Sequence, residues 1–286
     1  MRLFITGATG FIGSHVLKQA AERGDRITAV RRPGSQPRID IECSPDWLDC
    51  PLDAITADHL SGHDALVHLA SVGVSPQKAT LDELVHWNVG ATGRLLEAVA
   101  SAGVRRVVVA GSFAEYGRAA DRHEFLPADA ALEPTSPYAA SKAAACMLAV
   151  ALAAQHQLEL CYLRIFSAFG EGQHESNFFP SLRRAALSGE DFPMTSGEQV
   201  RDFIPVEDVA RAILAAARMP GVEPGRPRMM NVASGRPVAL RDFAQDWWRR
   251  LGARGRLLAG AVPYRSAEPK RFAAEMPVQS EEVDRP

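Results

Sequence analysis

Twelve residues at the amino end constrain this chain more than any other stretch: Arg2-Leu-Phe-Ile-Thr-Gly7-Ala-Thr-Gly10-Phe-Ile-Gly13. Residues 3–6 are the short apolar run that a buried parallel strand requires. Residues 11–23 continue with helical periodicity, with Ile12, Leu17, Ala20 and Ala21 on the inward face. Gly7 permits a sharp reversal, Gly10 lets an anion approach backbone N–H groups at the positive end of the helix, and Gly13 lets helix and sheet pack closely. The spacing is G-x-x-G-x-x-G, not G-x-G-x-x-G, and a glycine repeat alone would also suit a purely structural turn. Its place after a strand and before a helix points to a dinucleotide cradle built from Gly7, Thr9, Gly10, Phe11, Ile12 and Gly13.

The remainder of the chain narrows the class. With 286 residues, 47% of them hydrophobic, there is ample material for a large core. A net charge of -2, from 34 acidic and 32 basic side chains, gives no global field that would draw nucleic acid or an anionic membrane, so any anionic ligand must be held locally. The apolar run 143–154 is too short to cross a bilayer, and the chain enters a strand without an apolar leader, so the expectation is a cytoplasmic protein with no membrane partner. Cys43, Cys50, Cys146 and Cys161 form no C-x-x-C and read as buried or incidental thiols.

A second strand is expected at 26–30, after Gly24 closes the first helix. An NAD-specific site places an acid near its end to accept from the ribose hydroxyls, whereas this chain has Arg31-Arg32-Pro33-Gly34. Two guanidiniums suit a 2′-phosphate, which favours NADP(H) over NAD(H); a solvated basic turn is the alternative. A short strand near 43–48 precedes Asp49, read as an adenine contact. A strand at 65–69 leads into the loop 70–73 and a helix at 81–102. The apolar strand 106–112 delivers Ser112 at its carboxyl end, the edge where ligands bind in open α/β sheets. Ser136 as N-cap and Pro137 as first helical residue then open the longest helix signal. Tyr138 and Lys142, four apart, share one face of it. A lysine ammonium there would lower the phenol pKa, and Ser112 would hold a substrate oxygen, although such a pair also arises by chance.

Beyond a strand at 158–165 the pattern becomes glycine-rich and aromatic, with helices expected at 180–188 and 207–218 and a strand at 228–232. The expected organisation is α/β: a doubly wound parallel sheet over 1–166, rejoined at about 204–236, with a smaller carboxyl-terminal lobe from 167–203 and 237–286 on the substrate side.

With these features in order, the chain resembles, over nearly its whole length, an extended short-chain dehydrogenase/reductase of the nucleotide-sugar epimerase and dehydratase type. Supporting motifs are His68-Leu69-Ala70, Asn88-Val-Gly90-Ala-Thr92, Tyr116-Gly117, Arg164-Ile-Phe166 and Arg201-Asp202-Phe203. The resemblance implies that Tyr138 is the acid/base and that Lys142 lowers its pKa and binds the nicotinamide ribose. Ser112 would orient the sugar oxygen, and Leu69, Ala70 and Asn88 would line the cofactor. It implies a nucleotide-diphospho-sugar substrate, with Arg201 at the diphosphate and Phe113, Asn177 and Arg265 as further contacts; a local salt bridge is the alternative for Arg201. It also implies a homodimer paired through the helices at 81–102 and 137–155.

Two departures refine this. Related dehydratases carry Asp-Glu where this chain has Phe113 and Ala114, neither of which transfers a proton, which argues against dehydration. The tail also ends soon after Glu275, leaving substrate closure either incomplete or differently supplied. Three readings follow: an NADPH-dependent reductase of a 4-keto sugar nucleotide, which is favoured; a 4-epimerase; and a non-catalytic dinucleotide sensor, which would have no need of Ser112, Tyr138 and Lys142 together.

Overall fold

The structure is a computed structural model and describes residues 1–42, 44–263 and 269–276. The opening apolar run forms β1 (Arg2–Thr6), buried from Leu3 onward, and the glycine turn leads into α1 (Phe11–Glu22). Gly24, at φ 73°, closes that helix by donating its N–H to the Ala21 carbonyl, and the chain reverses into β2 (Arg26–Arg31). The next strand, β3 (Asp46–Asp49), starts later than 43 because Pro45 has no N–H to give to a ladder. A short α2 (Ala57–Leu60) precedes β4 (Ala65–His68).

Residues 81–102 are helical but not one regular helix. α3 (Leu81–Glu83) widens into a π-helix over Leu84–Ala91 before α4 (Thr92–Ser101) resumes normal pitch. The widened segment carries Asn88, whose side chain is drawn inward to both the N–H and the carbonyl of Val72. Such segments cluster at functional sites.

The core then continues through β5 (Arg106–Ser112), α5 (Pro137–His156) and β6 (Glu159–Ile165). α5 begins as expected, with Ser136 Oγ accepting the Ala139 N–H and Pro137 in the first turn. By length and composition this 20-residue helix could cross a membrane, but half of its apolar window is buried within the fold. Beyond it lie β7 (Ser167–Phe169), α6 (Phe178–Ser188), β8 (Phe192–Met194) and β9 (Val200–Pro205). Next come α7 (Val206–Ala216), β10 (Arg228–Val232), β11 (Pro237–Ala239), α8 (Leu240–Arg250), β12 (Leu257–Ala259) and β13 (Arg271–Phe272). α6 starts two residues before Pro180, which sits in a first turn whose N–H groups have no partner within the helix.

Seven strands form one parallel sheet in the order β10-β6-β5-β4-β1-β2-β3. This is a doubly wound Rossmann sheet. Side chains alternate across it: Leu3 and Ile5 pack with Val16 and Leu17 of α1 and Val209 and Ile213 of α7, while Phe4 packs with Leu95 of α4 and Ala149 of α5. Strand order reverses between β1 and β4, which opens the crevice at the carboxyl edge where such sheets bind dinucleotides. Over that side, β9 pairs with β7, β11 and β13, and α6 packs on α8 through Leu182, Ala186, Ala244 and Trp248.

Candidate active site

At the crevice the glycine turn has the shape of an anion cradle. Gly7, at φ 72°, lies so close to the chain after β4 that an added Cβ would stand 2.6 Å from the Ala70 nitrogen. One on Gly13 would stand 2.1 Å from the Gly7 carbonyl oxygen. Only glycine fits at either place. α1 opens on Gly10 with no side-chain cap, so its first-turn N–H groups point at the crevice as a helix-end anion site does. Thr9 Oγ1 lies 3.3 Å from Ser35 Oγ, tying the turn to the loop after β2. Phe11 and Ile12 begin the helix, and Leu69 and Ala70 pass directly over Gly7. These backbone groups fit a dinucleotide pyrophosphate.

The two arginines after β2 have different surroundings. Arg31 donates through Nε to Asp49 Oδ1 at 2.7 Å and lies 4.5 Å over the Trp47 ring. Arg31 and Asp49, each read from the sequence as a direct cofactor contact, are therefore bonded to each other. Arg32 is exposed beside the turn.

Ser112, Tyr138 and Lys142 come together beneath the crevice. The Tyr138 phenol lies near enough to Ser112, and to Ser71, a hydroxyl to which the sequence reading assigned no role, for both to bear on its pKa. Asn88 organises this contact. It accepts from Ser71 Oγ at 3.1 Å and donates to Ser141 Oγ at 2.9 Å, and Ser141 in turn donates to the Tyr138 carbonyl. Its bearing on a cofactor thus runs through the loop 70–73.

The phenol departs from expectation. Burial, and after it the Glu115 carboxylate, push the Tyr138 pKa up to about 12, with Ser112 and Ser71 acting in the opposite direction. Lys142 Nζ donates to the Ala110 carbonyl at 2.7 Å. Lys142 itself is lowered by burial and partly restored by Glu115 and Cys146. Nearby, His68 is buried between Thr6 Oγ1 at 2.7 Å and Thr92 Oγ1 at 2.9 Å; burial, then Lys142, lower its pKa to about 3, so it is neutral.

Glu115 was missed although its signal was legible: Ser112-x-x-Glu115 is a capping box. Its carboxylate accepts the Ser112 N–H at 2.7 Å, the Tyr162 hydroxyl at 2.9 Å and Arg164 Nε at 2.9 Å.

Phe113 packs on Phe272 with ring centroids 4.8 Å apart, and the Arg201 guanidinium lies 5.2 Å over the same Phe272 ring. Phe272 thereby joins the turn after Ser112 to Arg201. Arg201 is buried and donates to the Val200 and Lys270 carbonyls, while the adjacent Asp202 accepts from Ser234 and Gly235. Asn177 stands at the N-cap of α6, and Arg265 lies outside the described residues. A separate cleft of about 1030 Å³, lined in part by Phe179 and Arg183 of α6 and Trp247 of α8, has none of Ser112, Tyr138 and Lys142 in its walls.

A doubly wound sheet with a glycine cradle and a Ser/Tyr/Lys set at its carboxyl edge defines a dinucleotide-dependent enzyme. Comparison with known proteins agrees. The NAD dependent epimerase/dehydratase family matches residues 3–233. A UDP-glucose 4-epimerase of Streptomyces lividans is 29% identical over 277 residues, covering 88% of this chain and 81% of that one. A dTDP-6-deoxy-L-talose 4-dehydrogenase (NAD(+)) of Aggregatibacter actinomycetemcomitans is 25% identical, covering 86% and 89%. The structure of MoeE5 in complex with UDP-glucuronic acid and NAD superposes with a TM-score of 0.81 at 32% identity, covering 96% and 90%. The chain belongs to the NAD-dependent epimerase/dehydratase family of extended short-chain dehydrogenases/reductases.

Proposed function

We propose that this enzyme reduces the 4-keto group of a nucleotide-diphospho-(deoxy)sugar with NADPH. The observation that carries the reading is the placement of Ser112 at the carboxyl end of β5 and of Tyr138 in the first turn of α5, with the phenol near Ser112 and burial pushing its pKa up to about 12. A carbonyl oxygen accepting from Ser112 would sit beside a group poised to donate a proton. The backbone from Gly7 to Gly13 would hold the pyrophosphate, Arg32 the 2′-phosphate and Lys142 the nicotinamide ribose, and the bound cofactor supplies the hydride. As C4 is reduced, its oxygen takes the Tyr138 proton, and Tyr138 regains one from water. Phe113 and Ala114 offer no proton-transfer group of their own, so redox at one carbon is the simplest chemistry. The names of the relatives, a 4-epimerase and a 4-dehydrogenase, both involve C4 and support that position.

The substrate lobe in this reading comprises 167–203 and 237–286, with Arg201, Asn177 and Arg265 at the nucleotide diphosphate and Phe113 at the sugar. The outward face of α5 presents Ala140, Ala144, Met147 and Ala151, and Val85 is exposed on the π-helix; these would pair two subunits.

A second reading, 4-epimerisation with retained NAD, is favoured by the likeness to UDP-glucose 4-epimerase. The two separate in one experiment. Incubation with a 4-keto-6-deoxy sugar nucleotide should consume NADPH stoichiometrically. Interconversion of UDP-glucose and its 4-epimer with no added cofactor and no net change in absorbance would replace reduction with epimerisation.

A further inference from the structure

The wall between the serine turn and Arg201 is aromatic, and two sheets build it. Ser112 ends β5 in register with Ile165 of β6, so the residues that follow them, Phe113 and Phe166, leave the main sheet side by side, with ring centroids 5.6 Å apart. Phe272 comes from the last strand, β13, in register with Arg201 of β9, and its ring lies 4.8 Å from that of Phe113 and beneath the Arg201 guanidinium. β13 is also fastened to the loop before α5. Arg271 Nε donates to the Glu124 carbonyl at 2.8 Å, the Leu126 N–H donates to the Ala273 carbonyl at 2.7 Å, and the Leu126 carbonyl accepts the Glu275 N–H at 2.9 Å. The carboxyl-terminal stretch therefore reaches the site, carrying one of the rings that hold Phe113.

Four aromatic rings make up this cluster, and they differ in what surface they have left. Tyr116 is fully buried with its hydroxyl donated to Asn231 Oδ1, Phe166 is 3% exposed and Phe272 5%. Phe113 is half-buried, so it is the ring of the cluster with surface available to a substrate. Its orientation is set from two sides, at 30° to Phe166 and 67° to Phe272, which leaves it little freedom to turn away. The next residue, Ala114, offers only a methyl side chain, and its N–H is donated to Ser112 Oγ at 3.2 Å.

We propose that Phe113 is a specificity-determining residue for the reaction at C4: its ring reads the exocyclic C6 of the sugar and selects a methyl group there over a hydroxymethyl or a carboxylate. The inference rests on the proposed function and deepens it. With the C4 oxygen held by Ser112 and the diphosphate by Arg201, the sugar spans the wall between them, and the side chain that follows Ser112 meets a substituent on a carbon adjoining C4. Of the two adjoining carbons, C3 carries a hydroxyl and C5 carries C6. An aromatic ring gives a hydroxyl no partner and a carboxylate no donor, and each loses water beside it. A methyl group has no hydrogen bond to lose and gains from burial. C6 is the substituent that can present one.

The test reads binding and so does not depend on turnover. Nucleotide-diphospho-glucose, its 6-deoxy analogue and its uronate, each as the UDP and the dTDP compound, are titrated calorimetrically into the full chain with saturating oxidised cofactor. The 6-deoxy compound should bind about 10- to 100-fold more tightly than the hexose, the discrimination an apolar contact achieves against one added hydroxyl, with the uronate weakest. Phe113→Asn should bring the ratio close to one. Phe113→Leu, which stays apolar, should keep most of it, and Phe272→Ala, which removes a ring that holds Phe113, should lower it part of the way. Equal affinities in the unaltered enzyme would overturn the inference, and so would a Phe113→Asn variant that weakens all three sugars alike, since Phe113 would then serve packing alone. If Phe113→Asn does not fold, Phe113→Ala is read by the same ratio. Consumption of NADPH on a 4-keto-6-deoxy sugar nucleotide without any preference for the methyl compound would overturn the role of Phe113 alone. A preference that depends on Phe113, with no consumption of NADPH, would overturn only the reductase reading, and failure of every compound to bind would overturn both.

Discussion

Arg31 Nε lies 2.7 Å from Asp49 Oδ1, and this pair crosses the end of β2 and β3 where an NAD-specific site would present an acid to the ribose. With its guanidinium also lying over Trp47, Arg31 is held against the sheet edge, and Arg32 is the exposed cation beside the glycine turn. NADPH should therefore bind more tightly than NADH, with Arg32 reading the 2′-phosphate. In fluorescence titrations Arg32→Ala should weaken NADPH about tenfold, the effect of one charge-assisted contact, and change NADH little. Arg31→Ala should have the smaller effect on that preference. Equal affinities for the two cofactors in the unaltered enzyme would rule the assignment out.

The proton donor is tested by Tyr138→Phe, which keeps the ring but removes the transferable proton. Turnover should fall by about 10²–10⁴-fold while cofactor affinity is preserved. Ser71→Ala removes one of the two hydroxyls that stabilise the phenolate, so its pH–rate profile should shift further to the alkaline side. Near-normal turnover in Tyr138→Phe would move the donor to another residue.

Much of this was legible in the sequence because it depends on local pattern. The glycine turn needs Gly13 for its close approach to nearby Gly7, and the Pro137 helix start places Tyr138 and Lys142 one turn apart. What the sequence could not show are contacts made across elements. Arg31 finds Asp49 only because β2 and β3 lie side by side, and Lys142 turns to Ala110 because α5 lies on β5. The π-helix at Leu84–Ala91 was read as regular because apolar periodicity does not reveal one wider turn. Glu115 shows in the sequence only as the last residue of a capping box, and its buried role depends on Arg164, 49 residues away in the chain.

The Glu115–Arg164 pair should also be a stability determinant. Glu115→Ala leaves a buried guanidinium without its carboxylate and should cost about 3–5 kcal/mol, read as a lower urea midpoint at unchanged slope. Arg122 and Glu133 form a bidentate pair of similar appearance on the surface. Solvent screens that pair, and Glu133→Ala should be nearly silent in the same assay. Comparable losses in the two variants would mean that burial is not what distinguishes the pairs.

His68 makes stability depend on pH in a window set by its own shift. In the unfolded chain it takes up a proton near its ordinary value of 6.5, whereas in the fold burial, and then Lys142, hold the ring neutral down to about 3. Between those values the unfolded state binds a proton that the native state does not, so acid favours unfolding there. The stability contributed by the neutral ring is fully present above 6.5 and is lost as the pH falls towards 3, at about 1.4 kcal/mol per pH unit within the window. His68→Gln removes the titration. Its urea midpoint should lie below that of the wild type at about pH 7.5, and the gap should narrow at about pH 5 as the wild type loses the advantage of a neutral histidine. A gap that stays constant between the two conditions would show that His68 does not carry this dependence.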